Sequence, residues 1–127
     1  MGNFTLGKYE RLKKETVLNT LFNKGKAISW NGFTLVYLFT EIPSTFPAQA
    51  GFSVPKRIFK NAHDRNKIKR RMREVYRKNK AILYNHLSEK NNQLALMLIY
   101  KGKKIASYNE VETALLRIFE MWVQKNQ

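Results

Sequence analysis

The chain has 127 residues, with 24 Lys and Arg against 9 Asp and Glu, a formal charge of +15, and no cysteine. That length suits one domain, 1–127, with its own hydrophobic core, and the charge points to a polyanionic partner, nucleic acid before an acidic membrane surface. The missing cysteines exclude disulfides and thiolate zinc sites and fit a reducing compartment. "MGNFTLGKYE" lacks a basic n-region followed by an apolar h-region, and the longest apolar run, "LALMLIY", is too short to span a bilayer. A soluble cytoplasmic protein is expected.

Residues 1–14 are polar and basic and read as a loosely held arm. From Thr16 to Lys24, Val17, Leu18, Leu21 and Phe22 recur at helical spacing, and Gly25 offers a stop. "FTLVYLF" (33–39) alternates Phe33, Leu35, Tyr37 and Phe39 on one face with Thr34, Val36 and Leu38 on the other. "IPSTFP" (42–47) reads as a loop, and "QAGFSV" (49–54) as a second strand ended by Pro55, which predicts an antiparallel hairpin of the two strands.

Asn61 can cap the next helix, with Asp64 at the third helical position, and that helix is expected to reach about Leu83. "QLALMLIY" (93–100) has the continuous apolar character of a strand buried on both faces. Ser107 and Glu110 form an S-x-x-E capping box. The helix behind it repeats Val111, Ala114, Leu115, Ile118, Phe119, Trp122 and Val123 on one face. The order α-β-β-α-β-α predicts an α+β sandwich of three helices on a small mixed sheet.

Residues 56–80 carry 12 Lys and Arg against 2 acids. On a helix with about 100° between residues, Ile68, Met72, Val75, Tyr76, Ile82 and Leu83 share a stripe that can dock on the sheet. Lys69, Arg73, Asn66, Arg77 and Arg70 crowd an adjoining flank, and Lys67, Lys78 and Arg71 lie on the far side. Like charges at i,i+4, as in Arg65/Lys69, Lys69/Arg73 and Arg73/Arg77, repel one another. A solvated face kept for solubility is the bland reading of such a run, but mixed signs or acids would serve solubility better. Polyanion binding outweighs it. Arginine can fork onto phosphate, which lysine cannot, and Asn66 amid the cations is either a hydrogen-bonding contact or an ordinary polar residue.

Chemistry of the protein's own is not visible. Two-metal nucleases need clustered carboxylates around cations roughly 4 Å apart, whereas this chain has one Asp and dispersed Glu. His63 and His86 are far apart in sequence, and no Gly-rich phosphate loop or nucleophile–base pattern occurs. A protein that binds RNA while another molecule does the chemistry fits these residues. A stand-alone RNA-binding module, such as a ribosome-associated factor, shares the same charge pattern. A membrane-surface helix does not fit, because its stripe lacks Trp or Phe anchors.

Arg65-Asn66-Lys67-Ile68-Lys69-Arg70, with "SVPKR" upstream and Arg73-Glu74 downstream, closely resembles the RNR signature of the bacterial ribonuclease P protein subunit. "RLKKETVLNTLFNKG" (11–25) resembles that family's first helix, "GFSVPKR" (51–57) matches as well, and the resemblance covers most of the chain. It implies an α-β sandwich with a left-handed βαβ crossover carrying the signature helix. It also implies a non-catalytic protein subunit of a ribonucleoprotein endonuclease that matures tRNA 5′ ends. The partners would be the catalytic ribonuclease P RNA and precursor tRNA, with no membrane and no protein partner needed. Mg2+ would be held mainly by the RNA and none tightly by the protein. The implied RNA-binding residues are Lys56, Arg57, Lys60, Arg65, Asn66, Lys67, Lys69, Arg70, Arg73 and Arg77. Phe22, Phe33 and Tyr37 are candidates for a cleft between the first helix and the sheet that receives the 5′ leader. Departures from the pattern are Lys67 in place of an arginine, His63 and Leu18 in place of an aliphatic residue and a phenylalanine, and a "RIFKNA" segment one residue longer than usual.

Overall fold

A computed structural model describes residues 7–127. A short 3-10 turn, Lys8–Glu10, precedes α1 (Glu15–Lys24), and three strands follow: β1 (Lys26–Trp30), β2 (Phe33–Phe39) and β3 (Ala48–Ser53). Then come α2 (Ala62–Asn79), α3 (Ala81–Glu89), β4 (Leu94–Tyr100) and α4 (Tyr108–Lys125). The four strands form one mixed sheet in the order β1-β2-β4-β3. The α+β class and the small mixed sheet are as expected.

The hairpin is not where alternation placed it. β2 pairs antiparallel with β1 across a turn at Asn31 and Gly32, both with positive φ (49° and 87°). Asn-Gly is the dipeptide that such two-residue turns favour. β3 lies parallel to β4, which separates it from β2. Alternation assigns side chains to faces but leaves strand neighbours open, and the doubly apolar β4 takes the central position between β2 and β3.

β3 returns to β4 through α2 and α3, and local chirality fixes the hand of that crossover. With the α2 side toward the viewer and β3 running upward, Ala50 points its side chain forward into the α2-side core. An L-residue so placed directs its carbonyl to the right. That carbonyl accepts from Leu12 N–H, outside the sheet edge (3.0 Å), so β4 lies to the left. A crossover in front that steps leftward is left-handed, against the usual preference.

β4 explains the layering. Leu94, Leu96, Leu98 and Tyr100 face the core shared with α2 and α4, while Ala95, Met97 and Ile99 face α1. Ile68, Met72, Val75 and Tyr76 of α2 are buried as the stripe predicts, as is the α4 face through Trp122. Asn61 caps α2 by accepting from His63 N–H (2.8 Å). The reciprocal Ser107–Glu110 box starts α4. There the Lys104 ammonium and the Ser107 N–H pull the Glu110 carboxyl down to about 2.

The signature helix is shorter than its periodicity suggests. It ends at Asn79, and α3 starts at Ala81, which gives four α-helices rather than three. The phase change at Lys80 keeps Leu83 buried but turns Ile82 out to 38% exposure. At that junction Lys80 is buried, and its ammonium donates to Glu10 Oε2 (2.6 Å). The Tyr84 hydroxyl donates to the same oxygen (2.5 Å), and Gly7 N–H donates to Glu10 Oε1 (2.9 Å).

Those contacts revise the expected arm. Residues 1–6 lie outside the described residues, but the following stretch is docked along β3. Gln49 Nε2 donates to the Tyr9 carbonyl (3.0 Å), and Leu12 is buried with Leu21 and Met97. A hidden carboxylate, invisible to composition, does the anchoring.

Burial by itself opposes ionisation of Glu10, but Lys80, Tyr84 and the Gly7 N–H outweigh it and hold its pKa below the ordinary 4.5. A depressed carboxylate pKa stabilises the fold above the unfolded-state value, and that contribution is lost as pH falls through the folded one. Glu10→Gln removes the carboxylate that pairs with the buried Lys80 ammonium and should cost about 3–5 kcal/mol at neutral pH. Denaturant titrations at neutral pH and below pH 4.5 should show the wild type losing this advantage on acidification. A variant as stable as the wild type at neutral pH would show the pair to be energetically idle.

Candidate nucleic-acid interface

The α2 stripe fixes which side of the helix meets water. Opposite Ile68, Met72 and Val75, Asn66, Arg70 and Arg73 are exposed, and Lys67, Lys69 and Arg77 are half-exposed. Lys56, Arg57 and Lys60, in the loop between β3 and α2, are exposed as well. The ten RNA-binding candidates therefore occupy one helix and the loop that leads into it.

Their tasks differ. Arg65 donates from Nη1 to the carbonyls of Phe59 (2.6 Å) and Lys60 (3.0 Å), so it shapes the loop that presents Lys56, Arg57 and Lys60. The Arg73 guanidinium lies over the Phe52 ring, 5.5 Å from its centroid, which orients its fork beside β3. Arg77 pairs with Glu74 and, with Lys78, holds that carboxyl below its ordinary value; the Arg77 hydrogen bond is the leading cause. On the far flank Arg71 donates to the Ala106 carbonyl (2.5 Å), and the Lys78 ammonium sits 5.6 Å from the Tyr108 ring centroid. These two flanking cations hold the start of α4 against α2. Among the described residues Lys67, Lys69 and Arg70 make no side-chain hydrogen bond or ion pair, so their charges face outward uncommitted.

The opposite sheet face is only partly covered. Val17, Leu18 and Leu21 of α1 pack over Val36, Leu38, Ala95 and Met97. Thr16 and Thr20 flank the helix toward Thr40, at the C-terminal end of β2. At about 100° per residue, Leu18 and Phe22 occupy the other flank. On the same sheet face Ser29 is exposed and Thr34 and Ile99 are half-exposed. Phe22 of α1 is 55% exposed. Phe33 and Tyr37 are not on this face. They are 2% and 1% exposed in the helical core, where Phe33 packs on Tyr100 and Tyr37 on Trp122. Their place in the alternation put them under α2 and α4, which removes both from the cleft.

A model of the Ribonuclease P family matches residues 6–122. The ribonuclease P protein component of Porphyromonas gingivalis is 33% identical over 90% of this chain and 83% of its own length. That of Borrelia hermsii is 31% identical over 91% and 93%.

The chain belongs to the ribonuclease P protein family.

Solved structures share the fold. The Staphylococcus aureus ribonuclease P protein superposes with a TM-score of 0.71 at 22% identity, covering 91% of this chain and 96% of the other. The Thermotoga maritima protein gives 0.67 at 22% identity, covering 88% and 96%. Membership makes the chain the protein subunit of a ribonucleoprotein endoribonuclease and favours that reading over a stand-alone RNA-binding module. Among the described residues no group of three or more His, Asp or Glu is placed to hold a metal, and no helix is long and apolar enough to cross a membrane.

Sequence reasoning missed the structural cations. Arg65 and Arg71 read as members of the charge run, and only backbone carbonyls brought close by the fold reveal them as tethers. Lys69→Ala and Arg70→Ala should leave thermal stability within about 0.5 kcal/mol of wild type, as surface changes do. Ile68→Asp, by contrast, should unfold the domain at a cost above about 4 kcal/mol. Melting curves followed by circular dichroism distinguish these cases, and a silent Ile68→Asp would mean that α2 is rotated away from the sheet.

Proposed function

We propose that the cationic face of α2, with the 56–60 loop, holds the RNA subunit of ribonuclease P. The partly open sheet face beside α1 receives the 5′ leader of precursor tRNA. In this reading the RNA carries the catalysis and holds Mg2+, and the protein works in the cytoplasm as an RNA-binding subunit. One observation carries the proposal: an apolar stripe buried to 0% exposure at Ile68, Met72 and Val75 backs a surface rich in cations, among them Lys67, Lys69, Arg70 and Arg73. A helix so anchored presents its charges at fixed spacing, which matches a folded polyanion better than a flexible basic tail would.

The mechanism follows from these placements. Lysines and arginines on α2 displace counterions from the RNA backbone, and this gain weakens steeply with salt. Arg73, held over Phe52, presents a fork suited to two phosphate oxygens. On the other face Phe22 offers a ring to an unpaired base, a contact worth roughly 1–3 kcal/mol that depends less on salt. Ser29 and Thr34, whose hydroxyls share a 2.8 Å hydrogen bond, supply polar groups on the same strip of sheet. The protein thus binds both catalyst and substrate without bringing reactive groups to the scissile bond.

The direct test is whether the protein enables a bacterial ribonuclease P RNA to cleave precursor tRNA at low magnesium. Arg73→Ala should impair assembly with that RNA and flatten its salt dependence. Phe22→Ala should leave assembly nearly unchanged but weaken precursor tRNA more than mature tRNA. Equal losses for the two tRNAs in Phe22→Ala would remove the leader from that position.

A further inference from the structure

A second basic surface lies away from α2, along the outer edge of β3. Lys8, Tyr9, Arg11, Lys13, Lys14, Pro43 and Gln49 line an open depression of about 450 Å3 there. The docking of Glu10 builds this surface. Glu10 turns inward to Lys80, and its neighbours Tyr9 and Arg11 are thereby left exposed beside the depression. Tyr9 is 57% exposed, and the Lys8 ammonium lies 5.3 Å from its ring centroid.

Gln49 gives the depression a specific polar group. It is only 5% exposed, and its Nε2 is committed to the Tyr9 carbonyl at 3.0 Å. Its Oε1 is buried and has no hydrogen-bond partner. A buried acceptor left unpaired costs free energy, and a shift of the Gln49 amide that opened Oε1 to the depression would let a bound N–H or O–H donor relieve that cost. Lys14 also precedes α1 without a side-chain cap, so the first-turn N–H groups of that helix are not engaged by its own N-cap side chain.

An exposed aromatic ring, a buried lone acceptor and four surrounding cations match one unpaired nucleotide. The ring takes the base, Gln49 Oε1 takes a base N–H or the ribose 2′-hydroxyl, and the cations take the flanking phosphates. A fully paired RNA would offer no free base face to Tyr9. Lys13 and Lys14 line the depression and immediately precede α1, the helix that carries Phe22. We propose that the depression seats a leader nucleotide lying beyond the part of the leader held on the sheet face. The inference rests on the leader-binding reading given above.

The test uses holoenzyme reconstituted with a bacterial ribonuclease P RNA and a series of precursor tRNAs differing only in leader length. Tyr9→Ala and the double variant Lys13→Ala/Lys14→Ala should each weaken long-leader precursors by about fivefold or more. Short-leader precursors, mature tRNA and assembly with the RNA subunit should be unchanged. Circular dichroism confirms that each variant is folded. Losses that are the same at every leader length, or variants that behave as wild type, would overturn the proposal. A defect confined to assembly would also overturn it, assigning the depression to the RNA subunit instead. Failure of the wild-type protein to activate the RNA at all would sink the underlying function, a result distinct from any of these.

Discussion

The architecture depends on the demand that β4 be covered on both faces. Its seven residues are apolar throughout, so neither side can face water without exposing a row of Leu, Met or Ile side chains. α2 and α4 shield one side and α1 the other. Covering the first side fixes the buried stripe of α2 and turns its cations outward. Covering the second side with one short helix leaves part of the sheet open. Both surfaces assigned to RNA are by-products of burying one strand.

The charge run is less uniform than its composition suggests. Arg65 and Arg71 hold backbone carbonyls, Arg77 and Lys78 surround Glu74, and Lys80 is buried against Glu10. These commitments shape the loop before α2, the start of α4 and the docked N-terminal stretch. The remaining cations repel one another across single helical turns. A bound polyanion relieves that repulsion, so the same residues that strain the free protein favour its complex.

Much of this was legible in the sequence, for identifiable reasons. The α4 face and its capping box rest on contacts within one helix, and periodicity reads those directly. The α2 stripe was visible as far as Tyr76, then misled at Ile82 because the junction at Lys80 resets the helical phase. Alternation divided β2 into two faces but could not say which one α2 and α4 would cover, so Phe33 and Tyr37, taken as cleft candidates from the resemblance, fell on the buried side. β1 was missed although Asn31-Gly32 marks its turn, because "KAISW" is only five residues long and its apolar residues do not strictly alternate. The docking of Glu10 had no local signal, since its partners lie 70 and 74 residues away.

Of the two inner strands of the sheet, β4, which joins β2 to β3, is also the last strand in order among the described residues. Until β4 is available, β2 can pair only with β1, and β3 has no strand neighbour within the sheet. The β1-β2 hairpin and the lone β3 strand, each with an open edge, must therefore await a segment that arrives after both. Such edges are templates for pairing with other chains. Closing them also requires contacts between residues far apart in sequence, which slows folding. The nascent protein thus carries its strongest positive charge, on α2, through the interval when its sheet is incomplete, and mutual repulsion between copies opposes edge-to-edge association during that interval.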